Sequence, residues 1–420
     1  MTIISRIILF SVLLLIDIYV FQAVKLLSRN LGDTPRTIIY WGFWSITAFT
    51  FLIILLNSFI DLHKISRPFA VYSVAFIIAA YLAKVFIVLF LLIDDLIRLI
   101  RWVVSFFQKK REVSEALQIK GNRISRIEFF SQLGFIVGSI PFLSMVYGMI
   151  RGPYRFEVRT QKIKFPNLPS SFDGLKIVQI SDIHSGSFMS AQPMKDIVNL
   201  VMKQKADIVF FTGDLVNNRN SEMIDEFKSI LKQITAPMGV YSIFGNHDYG
   251  DYVEWDSPDE KLANRNSLIQ THKELGWKLL LNEHAILDKG GDKIGLIGVE
   301  NWSSIMRHNK HGDMVKATSN LPEVPFKILL SHDPSHWHSE VTPKYKDIDL
   351  TLSGHTHGMQ WGIEIPGFHW SPVQYVYKEW AGLYQKESQY IYVNRGVGFL
   401  GYPGRVGIMP EVTVIELGKA

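Results

Sequence analysis

Ser181-Asp182-Ile183-His184-Ser185-Gly186 follows an apolar run, Leu175–Ile180, with the composition of a buried strand. Asp182 and His184 therefore stand just past a strand end, two residues apart, where a bend turns both side chains toward one point. An oxygen and a nitrogen donor held together at the carboxyl end of a strand suit a divalent metal. Alone the pair proves little, because an Asp followed by a His is common and a lone histidine is more often structural. Four later stretches repeat the design.

Ile208–Thr212 runs into Gly213-Asp214-Leu215-Val216-Asn217-Asn218, and Val240–Phe244 into Gly245-Asn246-His247-Asp248. Phe326–Leu330 runs into Ser331-His332-Asp333-Pro334, and Leu350–Leu352 into Ser353-Gly354-His355-Thr356-His357-Gly358. Each apolar run stops at a small residue beside a carboxylate, amide or imidazole. Read singly, Gly-Asp is a common turn and Gly-Asn-His-Asp a capping loop. Read together, they place five of the 13 histidines at strand ends, which chance does not explain.

Further strands are expected at Lys293–Val299, Tyr390–Asn394 and Val412–Leu417, with helices at Ala191–Gln204, Ser221–Ile234 and Lys261–Leu275. Strand–helix alternation at this spacing predicts an α/β sheet, and the closely spaced later strands a second sheet. No internal repeat or low-complexity segment is present.

The 420 residues contain no Cys, so any metal must be held by carboxylate, imidazole or amide groups. The net charge of +5 is unevenly divided. Residues 1–150 carry 15 Lys and Arg against 8 Asp and Glu, and the remainder 29 against 31. The basic balance belongs to the first third and gives no reason to expect nucleic-acid binding.

That first third, residues 1–150, contains apolar stretches at Ile7–Val24, Ile38–Ile60, Phe69–Ile93 and Phe130–Ile150, each near the roughly 18–20 residues that cross a bilayer. Helices apolar on every face have no polar side to show water, so four spans are expected, the fourth interrupted by Pro141. The connection Arg98–Arg126 carries eight Lys and Arg (Arg98, Arg101, Lys109, Lys110, Arg111, Lys120, Arg123, Arg126) and the first connection three. Their total of 11, against eight flanking the other side, predicts that residues 151–420 face away from the cytoplasm. Asp17 and Lys84 fall inside the first and third spans at similar depth. They fit a buried pair pinning two helices, a wet crevice or relay chemistry.

From Phe156 onward, the five strand-end motifs in this order resemble the signature of calcineurin-like metallophosphoesterases. The similarity is greatest to a membrane-associated bacterial branch. Asn167-Leu168-Pro169, Gly174-Leu175-Lys176, Tyr392-Val393-Asn394-Arg395-Gly396-Val397-Gly398 and Pro410-Glu411-Val412 also have counterparts there. Met359 departs from the pattern, standing where that branch usually has Gly. Arg123–Pro141 resembles a twin-arginine export signal without the adjacent arginines, and reads as a membrane anchor.

The resemblance implies a four-layer α/β/β/α sandwich over residues 151–420, preceded by the four-helix transmembrane region, with two metals at one sheet edge. It implies that Asp182, His184 and His357 hold one divalent ion and Asn246, His332 and His355 the other. Asp214 would bridge them, and His247 would stand beside the phosphate as the catalytic imidazole. The chemistry agrees. A shared carboxylate offsets the repulsion between two close cations, which together lower the pKa of a shared water and furnish hydroxide for attack on phosphorus. An imidazole can protonate the leaving oxygen. Thiolate-free N/O ligation suits manganese, iron or zinc.

The expected activity is thus hydrolysis of a phosphate ester or pyrophosphate by a membrane-anchored enzyme. The rival is a transporter or sensor whose domain binds a phosphorylated ligand without cleaving it. The aromatic stretch Trp361, Phe368, Trp370, Tyr375, Tyr377, Trp380 and Tyr384 fits either a core or a membrane interface, and the second option would favour a lipid-linked substrate.

Overall fold

The computed structural model describes residues 3–60, 62–107, 124–306 and 310–420, which form two compact units, Met1–Tyr147 and Gly148–Ala420. Lys109, Lys110, Arg111, Lys120 and Arg123 of the basic connection lie outside the described residues.

The first unit is helical. Helices Ile3–Ser28, Asp33–Phe59, Arg67–Phe107 and Arg126–Arg151 are each long and apolar enough to cross a membrane, the last running on past the unit's boundary. Most of their apolar side chains point outward, as lipid-facing helices require. At 1.5 Å per residue the 41-residue third helix is about 60 Å long, twice a hydrocarbon core, so its charged end (Asp94, Asp95, Arg98, Arg101) extends beyond the apolar part. Inside the bundle Lys84 Nζ lies 2.5 Å from Asp17 Oδ1, and Tyr81 donates to Asp17 Oδ2 at 2.7 Å. The two spans are joined by a buried ion pair.

The second unit contains, among its described residues, fourteen strands in chain order. The first seven are β1 (Glu157–Phe165), β2 (Lys176–Ile180), β3 (Ile208–Phe211), β4 (Val240–Ser242), β5 (Lys278–Leu279), β6 (Glu283–Lys289) and β7 (Asp292–Gly298). The rest are β8 (Lys327–Leu330), β9 (Leu350–Ser353), β10 (Ile363–Ile365), β11 (Phe368–Trp370), β12 (Gly382–Lys386), β13 (Gln389–Val393) and β14 (Glu411–Lys419). One sheet has the order β1-β14-β2-β3-β4-β5 and the other β12-β13-β9-β8-β7-β6, with β10-β11 a separate hairpin.

Alternation of side chains builds the layers. Ile177, Ile208, Phe210 and Tyr241 of the first sheet meet Leu296, Ile328, Leu330, Leu350 and Leu352 of the second in a core between sheets. Val178, Val209 and Phe211, one residue out of phase, pack beneath Gln192–Lys203, Asp225–Leu231 and Pro258–Glu274. On the far side Ile297, Leu329 and Ile391 meet the short helical segments carrying Met314, Ala317, Trp337 and Val341. The result is the expected α/β/β/α sandwich. The third helix begins three residues earlier than expected because Ser257 accepts from Glu260 N–H and Pro258 takes the first helical position.

β2, β3, β4, β8 and β9 lie within the two parallel runs β2-β3-β4 and β7-β8-β9. All five polar loops therefore leave the carboxyl ends of parallel strands, the place where such sheets gather functional groups. Gln179, buried between the sheets, donates to Thr212 Oγ1 (3.0 Å) and Ser353 O (2.9 Å), tying the loop after β3 to the end of β9.

Candidate metal centre

The loops bring all eight predicted residues to one place. Two groups of donors converge closely enough to hold a metal ion, Asp182 with His184 and His357, and Asp214 with His332 and His355. Asn246 joins the second group, its Oδ1 2.8 Å from His355 Nδ1. Asp214 Oδ2 lies 3.6 Å from His184 Nε2 and 3.1 Å from His332 Nε2, between the groups. His247 stands at the edge, its ring 5.0 Å from that of His184.

The backbone is bent hard to achieve this. Asp182, His184, Asp214, His355 and His357 have φ between 48° and 73°, a region unfavourable to residues with a Cβ and frequented at functional sites. Gly396 supplies the room beside them. A Cβ there would lie 2.8 Å from Asp182 Cβ and 3.0 Å from His357 Nδ1.

Hydrogen bonds fix which ring nitrogens face inward. His332 Nδ1 lies 2.7 Å from Thr212 O and donates to it, so Nε2 is the nitrogen that faces Asp214. His247 Nδ1 likewise donates to Asn217 O at 2.7 Å, leaving Nε2 free to act. His355 Nε2 meets the Tyr377 hydroxyl at 2.8 Å, which turns Nδ1 toward Asn246. His184 Nε2 and His357 Nε2 face each other at 3.1 Å. Imidazole nitrogens and carboxylate oxygens from five loops thus converge in one buried cluster. The donor set fits divalent metal.

Electrostatics agrees. Burial pushes the His184 imidazole down to about 3 and lowers that of His355, keeping both in the neutral, ligating form. Burial works against charge on His332 too, but the Asp214 and Asp182 carboxylates outweigh it and raise that group to about 10. The field that would hold a proton there attracts a metal cation equally. Asp182 and Asp214 overcome their own burial through neighbouring imidazoles, His357 and His332 respectively, and stay ionised well below the usual carboxylate range.

Several supporting residues were not singled out from the sequence. Asp248, fully buried, accepts from the N–H groups of Gly245 (2.8 Å), Asp214 (2.8 Å), Leu215 (2.9 Å) and Val216 (3.3 Å). Burial and the Asp214 carboxylate push its carboxyl up to about 7 against those donors. Its place after Gly-Asn-His was the available signal. Glu222 accepts from Asn217, Asn218 and Arg219 N–H, holding the loop that receives the His247 proton. Tyr252 stacks on His247 with ring centres 4.4 Å apart and accepts from Asn246 Nδ2 at 2.8 Å. Buried Arg405 donates to Arg395 O (2.8 Å) and Gly398 O (2.5 Å), fastening the loop behind His357.

Residues 175–359 match the family described as "Calcineurin-like phosphoesterase", and residues 1–153 that described as "Probable Calcineurin-like phosphoesterase, transmembrane domain". The chain is 33% identical to the uncharacterized metallophosphoesterase YkuE of Bacillus subtilis, over 64% of its own length and 89% of that protein. The chain belongs to the calcineurin-like phosphoesterase family. It is 30% identical to a transmembrane protein with metallophosphoesterase domain from Danio rerio, across 66% of this chain and 60% of that one. It is also 29% identical to the UDP-2,3-diacylglucosamine pyrophosphatase LpxG of Chlamydia trachomatis, across 55% of this chain and 81% of that one. This calcineurin-like phosphoesterase is a metal-dependent phosphoric ester hydrolase with a membrane-spanning unit.

Proposed function

We propose that the enzyme hydrolyses a lipid-linked phosphate ester or pyrophosphate at a two-metal centre facing away from the cytoplasm. Asp182, His184 and His357 would hold one ion, Asn246, His332 and His355 the other, and Asp214 both. The observation that carries this is the position of Asp214 Oδ2, within 3.1–3.6 Å of a histidine from each group. Two divalent ions bound there supply Lewis-acid activation of water and neutralise charge on the phosphoryl oxygens. Manganese, iron and zinc all suit the donors.

The chain's own residues supply the remainder. His247, oriented by Asn217 O, would in its imidazolium form present Nε2–H to the leaving oxygen and hand it that proton, ending as the neutral Nδ1–H ring. Tyr252 holds the ring plane, and Asp248 keeps Asp214 aimed inward through its backbone. The lipid-linked substrate class is supported by the membrane unit and by the name of the chlamydial relative. The outward orientation is supported by the Lys and Arg bias of the connections.

Purified full-length enzyme should turn over chromogenic phosphodiesters or phosphomonoesters when manganese is added, lose activity to chelators and contain two metals per chain. One metal per chain at saturation would dismiss the shared role of Asp214. Protease added outside cells with a permeabilised outer barrier should remove the part after Gly152. Protection under conditions that digest an external control would reverse the orientation.

A further inference from the structure

The hairpin Ile363–Trp370 follows His357 by six residues and carries exposed apolar side chains on one face. Pro366-Gly367 closes it, with Gly367 at φ 79°. Cross-strand partners share a face, so Ile363, Ile365, Phe368 and Trp370 lie on one side and Glu364 and His369 on the other. The second side is fastened down. Glu364 accepts from Arg159 (2.7 and 2.8 Å) and Arg395 (2.7 Å), and His369, itself exposed, has its ring 5.2 Å from that of Trp380. On the first side Ile363, Ile365 and Phe368 are 49%, 57% and 50% exposed. Three large apolar groups held rigidly on one outward face mark a contact surface rather than scattered exposure.

What covers it follows from where the hairpin is rooted. Gly362 N–H donates to Val406 O at 2.9 Å, and Trp361 bridges to Val406. Arg405 N–H donates to Gly148 O at 3.2 Å, and a Cβ on Gly148 would come within 2.6 Å of the Val406 side chain. Gly148 belongs to the last turn of Arg126–Arg151, the fourth helix apolar enough to cross a bilayer. Within this one unit, the hairpin base therefore rests, through Arg405 and Val406, against Gly148. Trp361 and Trp370, edge to face at 5.6 Å, flank that base, and tryptophan is favoured at the membrane–water boundary.

We propose that the apolar face of the hairpin inserts into the interfacial layer of the bilayer, and that the substrate is a phosphorylated lipid drawn from that layer. Ser371 Oγ donates to Gly358 O at 2.8 Å, tying the hairpin to the residue after His357. The metal loop is thereby held to the element that touches lipid. The substrate clause rests on the two-metal reading above, whereas the insertion clause stands independently.

The absence of cysteine makes the test clean. Ile365→Cys, Phe368→Cys and, on the exposed start of β7, Lys293→Cys would each carry a nitroxide on the full chain in lipid nanodiscs. Collisions with oxygen should exceed those with a water-soluble nickel chelate at both hairpin sites, and the reverse should hold at Lys293. Chelate access at the hairpin equal to that at Lys293 overturns insertion. With Ile365→Glu and Phe368→Glu combined, hydrolysis of a phosphorylated lipid in vesicles should fall about 10-fold or more, with a soluble chromogenic phosphodiester within about twofold of the parent. Unchanged lipid hydrolysis, or equal losses on both substrates, overturns the lipid clause. A parent enzyme inert on both substrates overturns the two-metal reading and the lipid clause with it, and the nitroxide result still decides insertion.

Discussion

Two of the places where the molecule buries charge resolve it in different ways. In the helical unit, Asp17 has a partner at each oxygen, Lys84 Nζ at 2.5 Å and the Tyr81 hydroxyl at 2.7 Å. Lys84 is further flanked by the rings of Phe43 and Tyr81, 5.0 and 4.3 Å away. That site is closed on itself, and nothing in it asks for a ligand. In the sandwich, His184 Nε2 and His357 Nε2 meet at 3.1 Å, and His332 Nε2 faces Asp214 Oδ2 at the same distance. A buried pair that satisfies itself is structure, whereas imidazoles and carboxylates gathered in a buried cluster are a candidate metal site.

The sharpest way to break this contrast is Asp214→Asn. An amide nitrogen would replace an oxygen of the carboxylate proposed to serve both groups, so metal content should fall toward zero and turnover with it, by well over about 10³-fold. Full metal occupancy with normal rate would remove Asp214 from the centre. His247→Ala separates chemistry from metal binding, because His247 lies outside both donor groups. Metal content should stay at the parental level while the rate drops by about 10²–10⁴-fold. If the variant emerges metal-free, His247 belongs among the ligands and the division of roles is wrong.

The closed site makes the opposite forecast. Lys84→Met leaves Asp17 buried without its partner, and should cost on the order of 3 kcal/mol of stability. Combined with Asp17→Asn the loss should shrink, since neither charge is then stranded. Thermal stability in detergent gives the cycle, and simple additivity would mean that the two groups do not couple. Neither variant should alter metal content.

How far the sequence disclosed this differs between the two regions and within the sandwich. The strands leading to the site could be read because each is an apolar run ending at a small residue and a polar group, as in Ile208–Phe211 before Gly213-Asp214. β1 went unread because only Val158, Ile163 and Phe165 of its nine residues are apolar, its pairing with β14 being set by register rather than by hydrophobicity. β5 has two residues, and β10 exposes two of its three, so neither carries a periodic signal. The eight candidate residues could be picked out by type and position, and the fold brings them together. Their supports could not be, because Tyr377 reaches His355 across 22 residues and Glu222 acts through the backbone of Asn217. The aromatic stretch divides: Tyr377 and Trp380 are buried, while Phe368 and Tyr375 are exposed.

The smallest forecast concerns the one departure from the family pattern. Met359 has φ 56°, and its side chain is 58% exposed, so it bears left-handed strain with little packing in return. That conformation costs a residue with a Cβ about 1–2 kcal/mol, and glycine gives back about 0.5–1 kcal/mol through its freer unfolded chain. Met359→Gly should therefore stabilise the sandwich by up to about 1 kcal/mol, raising Tm by roughly 2–4 °C. Gln360 shares the same φ but not the same fate. Its side chain donates to Tyr402 O and Gly404 O and accepts from Leu400 N–H, at 2.8, 3.1 and 2.6 Å. Gln360→Gly gains the same relief but strands those three groups, and should destabilise. Opposite signs at adjacent left-handed residues would identify side-chain bonding as what holds the bend after His357. A loss of stability in both would mean that Met359 makes contacts its exposure conceals.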